Sequence, residues 1–71
     1  MEIHYNSKAD LLYLRLDAEE QPVINRRVSE DIVLDLGEDD TIVGIEIMDA
    51  SRRLKLEQLL PVKFGELLQA A

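Results

Sequence analysis

The stretch Asp31–Asp49, DIVLDLGEDDTIVGIEIMD, decides the fold. Two runs rich in β-branched and apolar residues, Ile32 to Leu36 and Thr41 to Ile47, flank the polar turn Gly37-Glu38-Asp39-Asp40. A short polar turn between such runs is the strongest local signal for an antiparallel hairpin. Ile32, Leu34 and Leu36 line one face of the first run, and Val43, Ile45 and Ile47 one face of the second. Gly44 has no side chain and marks either a bulge or a place where other backbone comes close. The turn fits a type I turn with a bulge residue in the left-handed region, where Asp40 is tolerated and glycine is better. The register depends on that bulge and is left open by the sequence.

Working outward, Met1 to Tyr5 alternates, with Ile3 and Tyr5 on one face and Glu2 and His4 on the other, the period of a half-buried strand. Asn6 to Asp10 reads as a turn. Leu11 to Leu16 reads as a second strand with apolar groups on both faces, hence a central one; leucine-rich runs of this length also fit a helix. Asp17 to Pro22 is a loop. Val23 to Val28 is a polar third strand with a proline at its start, which suits a sheet edge. After the hairpin, Asp49 is an N-cap for a helix from Ala50 to Leu60 ended by Pro61. On it Leu56, Leu59 and Leu60 fall within an arc of about 100° that covers the sheet, while Leu54 points elsewhere. In the tail, Phe64, Leu67 and Leu68 are spaced for a last short amphipathic helix. The expected fold is therefore a single α+β domain: a small antiparallel β-sheet of four to five strands, a meander of hairpins over residues 1–48, then a helix over 50–60 and a short helical tail over 61–71.

Seventy-one residues leave room for one domain. A chain of this size buries only about 60% of the surface exposed on unfolding, and such domains draw on disulfides, metals or partner subunits. The chain has no cysteine and one histidine, so disulfides, thiolate catalysis and a structural zinc site are excluded, and no cofactor is expected. Oligomerisation remains, with a dimer favoured. The hydrophobic content of 46% is that of a globular chain rather than a disordered one. No apolar run approaches the length of a membrane span and no export signal opens the chain, so a membrane is excluded and the expected location is cytoplasmic.

Eight Lys and Arg against 15 Asp and Glu give a net charge of −7. The imbalance sits in residues 1–50, with 13 acids and 4 bases, whereas residues 51–71 hold 2 acids and 4 bases. Nucleic acid is a poor partner for such a chain, and a basic protein a good one. Arg52, Arg53 and Lys55 form one basic cluster, placed to pair with acids; the aromatic residues of a nucleic-acid patch are missing.

Asp35 and Glu46 stand at the first and last positions of a twelve-residue span, as in a calcium-binding loop, but Gly37 and Asp40 occupy positions three and six, where a ligand and a glycine are needed. Glu38, Asp39 and Asp40 are therefore solvated turn acids. In some registers Asp35 and Glu46 share a face, where two carboxylates serve as an acid–base pair or hold magnesium. No phosphate-cradling loop or basic clamp completes such a site. His4 has no catalytic partner in sequence, and Ser7, Ser29 and Ser51 sit at turns and a helix start, where capping is their ordinary work.

Ile3-x-Tyr5, Ala9-Asp10 and Leu12-Tyr13-Leu14, followed by Ile32 to Asp35, Val43 to Ile47 and Asp49-Ala50-Ser51, resemble a family of small bacterial proteins, domain of unknown function 2283 (DUF2283). The resemblance covers residues 3–53. It departs at Asn6-Ser7, where Asp-Pro is usual, and at Asp40, where the hairpin tip often has glycine. It implies a small sheet with a helix and carries over no catalytic residue. Some members are encoded beside small toxin-like proteins, so it also implies an antitoxin-like role. The function expected is a non-enzymatic protein-interaction module, either a homo-oligomer or a partner of a basic protein. Its contacts would be apolar through Leu54, Phe64, Leu67 and Leu68, and electrostatic through Glu38, Asp39 and Asp40. The alternative is a metal-dependent enzyme built on Asp35 and Glu46.

Overall fold

The computed structural model describes residues 1–59. Five strands, β1 (Glu2–Asn6), β2 (Leu11–Arg15), β3 (Ile24–Arg27), β4 (Ile32–Leu36) and β5 (Ile42–Met48), form one antiparallel sheet. Their order is β1-β2-β5-β4-β3, and one helix, α1 (Ala50–Arg53), follows. β5 is thus the central strand, and β2 is internal as its two apolar faces require. β3 is an edge, consistent with its polar composition. The expected simple meander is corrected in one respect. β3, β4 and β5 do follow one another, but β2 pairs with β5 and not with β3.

The connection from β2 to β3 must therefore pass the ends of β5 and β4. Leu16 and Asp17 both donate their amides to the carbonyl of Val43, at 2.8 and 3.1 Å. Arg15 then pins the loop by donating to the carbonyls of Asp17 and Ala18. Gln21 packs against Gly37, where a Cβ would fall 3.0 Å from the Gln21 Cδ.

The two faces of the sheet differ in chemistry. Registers place Ile3, Leu14, Ile45 and Leu34 in one transverse row, and Tyr5, Leu12, Ile47 and Ile32 in the next. Over the β1–β2 side of this apolar face Leu56 and Leu59 border one depression with Ile3, Tyr5 and Leu12. Leu12 is the largest fully buried side chain. Toward β3 the cover runs out: Ile24, in register with Leu36, is 73% exposed, and Ile42 is 42% exposed. The opposite face carries Tyr13, Arg15, Asn25, Arg27, Val33, Asp35, Gly44 and Glu46.

The expected helix over 50–60 is far shorter. It ends at Arg53, because Leu54 is extended (φ −132°, ψ 150°), and a 3-10 turn follows at Leu56–Gln58. Leu56 and Leu59 reach the sheet by this bent path instead of as a helical stripe; Leu60 lies outside the described residues. Asp49 occupies the position before the helix but makes no side-chain cap, its backbone being left-handed (φ 52°). The hairpin tip forms a tight 3-10 turn in which Asp39 (φ 55°) and Asp40 (φ 58°) are both left-handed. A register shift between Asp35 and Leu36 sets Leu36 opposite Ile42 and leaves Val43 as the bulged residue.

Candidate polar site on the open face of the sheet

The register resolves what the sequence left open. Asp35 lies opposite Gly44, and Glu46 opposite Val33, so both carboxylates project from the same face as diagonal neighbours on β4 and β5. Asp35 is the one buried charged residue among those described, at 7% exposure. A buried carboxylate must be hydrogen-bonded to persist. Asn25, directly across on β3, donates its Nδ2 to the Asp35 Oδ1 through a short bond. Tyr13 approaches from the other side.

That approach depends on Gly44. Tyr13 belongs to β2, two strands away from Asp35, and its ring crosses β5 at the residue without a side chain. A Cβ on Gly44 would lie 2.8 Å from the ring's Cε1, and closer still to Cζ and the hydroxyl. Gly44 is thus a close-approach glycine, and the phenol it admits borders the same depression as Asp35. Burial first, and the neighbouring Asp35 second, push the Tyr13 phenol above its ordinary range.

Glu46 completes the group. Burial is the largest influence on it and the neighbouring Asp35 the next; together they raise its pKa above the usual 4.5, against a smaller opposing pull from Arg27. Desolvation and a neighbouring carboxylate both favour the protonated form. Two depressions flank the group. One, of about 480 Å³, is bordered by Tyr13, Arg15, Glu19, Glu20 and Asp35. The other, of about 400 Å³, is bordered by Asn25, Arg27, Val33, Glu46 and Met48. Among the described residues no three possible metal ligands cluster.

A second polar knot ties the start of the chain to α1. Asp10, left-handed at φ 50°, accepts the Ser51 amide at 3.0 Å and the Ser51 hydroxyl at 2.6 Å, while its own carbonyl accepts the Ala50 amide at 3.0 Å. Tyr5 donates its hydroxyl to the same carboxylate at 2.7 Å. The cap expected from Asp49 is thus supplied by Asp10, from 41 residues upstream of Ser51. Bonds from Ser51 and then Tyr5 hold the Asp10 carboxyl below its ordinary range, and the same bond raises the Tyr5 phenol. Local reading missed this because its signal is long-range.

The residues expected to bind a partner are dispersed. Glu38, Asp39 and Asp40 are exposed on the hairpin tip. Leu54 is half-buried beyond α1, and Phe64, Leu67 and Leu68 lie outside the described residues. The basic cluster does pair with acids: Arg53 meets Asp31 at 2.9 Å and Arg52 meets Asp49 at 3.9 Å. His4, on the polar face across from Tyr13, bonds Glu2 at 3.1 Å, and that bond lowers the Glu2 pKa.

The family model described as "Protein of unknown function (DUF2283)" matches residues 2–51. That span contains all five strands, the polar group and the Asp10–Ser51 knot. A protein of Methanosarcina mazei named "Putative hypoxanthine phosphoribosyltransferase" is 54% identical over 37 residues, which are 49% of this chain and 30% of that protein. The chain thus matches under a third of the length of this relative. No solved structure matches the chain.

Proposed function

Since the chain belongs to the DUF2283 family, whose function is unknown, we propose from its own surfaces that it is a non-enzymatic protein-interaction module. The observation that carries this reading is the half-covered apolar face of a one-sheet domain. A sheet buries its apolar face against a second layer. Here Leu56 and Leu59 stand over the β1–β2 side, and among the described residues nothing covers Ile24 and Ile42 on the other. Among the described residues both outer strands also lack a partner on one side, the usual template for adding a strand.

The module assembles with a second copy, a dimer, or with a basic protein in an antitoxin-like complex. Its charge favours the latter encounter, and the exposed Glu38, Asp39 and Asp40 are its electrostatic contacts. Leu54, with Phe64, Leu67 and Leu68 of the tail, supplies its apolar contacts. The polar face supports this reading over a metal-dependent enzyme. Asp35 is buried and accepts from Asn25, as the paired carboxylate of a structural polar group does.

Native mass spectrometry of the protein purified gently from its host tests the proposal. A mixed complex with a small basic protein, or a homo-oligomer that Ile24→Lys dissociates without loss of β-sheet circular dichroism, is the expected result. A monomer at every concentration with no bound partner overturns it.

A further inference from the structure

We infer that the outer edge of β3 pairs antiparallel with β3 of a second copy, about a two-fold axis at Asn25, joining two sheets into one. This rests on the interaction-module reading and gives it a partner and a seam. Which backbone groups face outward follows from the ladder. Val28 donates its amide to the Ile32 carbonyl at 2.9 Å, so the even-numbered residues of β3 turn their N–H and C=O toward β4. Val23, Asn25 and Arg27 therefore turn theirs away, and among the described residues no strand lies beyond them. By the same alternation Pro22 falls in the inward set and removes no outward donor. All of β3 is exposed, Ile24 at 73%.

Arginine and proline commonly guard an edge against pairing. Here the arginines select one register. Directly opposite residues share a face, so a two-fold axis normal to the sheet passes through a residue. Centred on Arg26, it sets that arginine against its own copy, and like charges so placed destabilise a sheet. Centred on Ile24, it leaves Arg27 opposite Gln21, outside the strand. Centred on Asn25, it pairs all the outward residues with one another: Asn25 with Asn25, and Val23 with Arg27. On the apolar face Ile24 then lies against the aliphatic stem of Arg26.

Charge complementarity favours the same partner. The chain carries −7 overall, yet β3 reads Ile-Asn-Arg-Arg, with no acid. The loop that leads into it, residues 17–22, holds Asp17, Glu19 and Glu20 and no base. Val23 borders the same depression as Glu19, Glu20 and Asp35. The cation already there, Arg15, has its guanidinium committed to the carbonyls of Asp17 and Ala18. Arg27 of the second copy, set opposite Val23, brings a further cation to that acidic rim, and the two-fold repeats the exchange on the other side. Among the described residues Arg27 bonds only the Glu30 carbonyl, through Nη1, so its Nε and Nη2 can reach across.

Sedimentation velocity of the full chain at rising concentration, with disulfide trapping, tests this. The wild type is expected to pass from monomer to dimer, and Arg27→Glu to stay monomeric where the wild type is dimeric. Glu19→Arg with Glu20→Arg is expected to do the same, and the three changes together to restore the dimer. The chain has no cysteine, so the register can be read directly. Ile24 and Arg26 of opposite copies form a non-hydrogen-bonded pair, with Cα atoms about 4.5 Å apart, within reach of a disulfide. A mixture of Ile24→Cys and Arg26→Cys proteins is therefore expected to cross-link faster than either alone. Equal cross-linking by either variant alone, or a dimer that Arg27→Glu leaves intact, overturns the inference. A complex with a basic protein and no homodimer also overturns it, while the interaction-module reading stands; a monomer with no partner overturns both. Wild-type sedimentation and the cysteine mixture decide the matter even if a charge variant fails to fold.

Discussion

Replacing Gly44 with alanine probes the bridge that Tyr13 makes across the central strand. The backbone at Gly44 is of a kind that alanine adopts, so the backbone contribution alone favours the variant by about 0.5–1 kcal/mol, since glycine in a strand loses more freedom on folding. The new methyl, however, falls 2.8 Å from Cε1 of Tyr13 and nearer still to Cζ and the hydroxyl. Displacing the ring costs about 1–3 kcal/mol, as other insertions into a packed site do. Removing the phenol from beside buried Asp35 costs about another 1–3 kcal/mol, because a buried acceptor loses its neighbouring donor. The net expectation is a loss of about 1–5 kcal/mol.

Urea denaturation at fixed protein concentration measures it, the concentration being fixed because assembly shifts apparent stability. The decisive comparison is a double-mutant cycle. In a Tyr13→Leu background the ring is absent, and Gly44→Ala should become neutral or stabilising. Tyr13→Phe separates the two contributions, since it keeps Cζ and Cε1 over the glycine but loses the hydroxyl beside Asp35. Equal destabilisation by Gly44→Ala in the wild-type and Tyr13→Leu backgrounds refutes the bridge, as does any gain in stability in the wild type.

Two further changes address the turn and the knot. Asp40→Gly should stabilise the hairpin by up to about 1 kcal/mol, since a left-handed φ of 58° is strained for a residue with a Cβ; thermal melting reads this as a higher Tm, and no gain would count against the tip geometry. Asp10→Asn should lower Tm at neutral pH by weakening the Ser51 and Tyr5 bonds. The Asp10 carboxyl titrates below its unfolded value, so its contribution is present at neutral pH and lost as pH falls through the lowered pKa. The wild-type and variant melting curves should therefore converge in acid, and a constant gap would contradict the assignment.

How much of this was legible in the sequence follows from the range of each signal. Alternation in Ile32–Leu36 and Ile42–Met48 is local, and it located both strands of the hairpin. The same holds for the edge character of β3, written in Pro22 and Asn25-Arg26-Arg27. The helix after Asp49 was overextended because Leu56 and Leu59 satisfy a helical period while reaching the sheet through an extended Leu54 and a 3-10 turn. Burial against Ile3, Tyr5 and Leu12 overrode the period. At Gly44 the sequence points to a bulge or to approaching backbone, whereas what approaches is the side chain of Tyr13, 31 positions earlier, which no local pattern names. The Asp10–Ser51 cap was hidden for the same reason.

The polar face has a structural task that the apolar face cannot perform. On the apolar face, Ile32, Leu34 and Leu36 meet Ile47, Ile45 and Ile42 in turn, and β2 carries Leu12 and Leu14. A one-residue slip turns such a strand inside out and is excluded, but a two-residue slip keeps every side chain on its own face. It exchanges leucine for isoleucine and costs little. On the polar face the same slip sets Asp35 directly opposite Glu46 in place of Gly44, and withdraws Asp35 from beneath Tyr13. Two like charges opposite each other destabilise a sheet, and a buried carboxylate without its donors costs more. Tyr13, Gly44, Asp35 and Asn25 thus select one register from several that hydrophobic burial ranks nearly alike. This is a use of a buried polar group that a uniformly apolar sheet would lack, and it predicts that Asp35→Leu loosens the choice of register even where it leaves the strands folded.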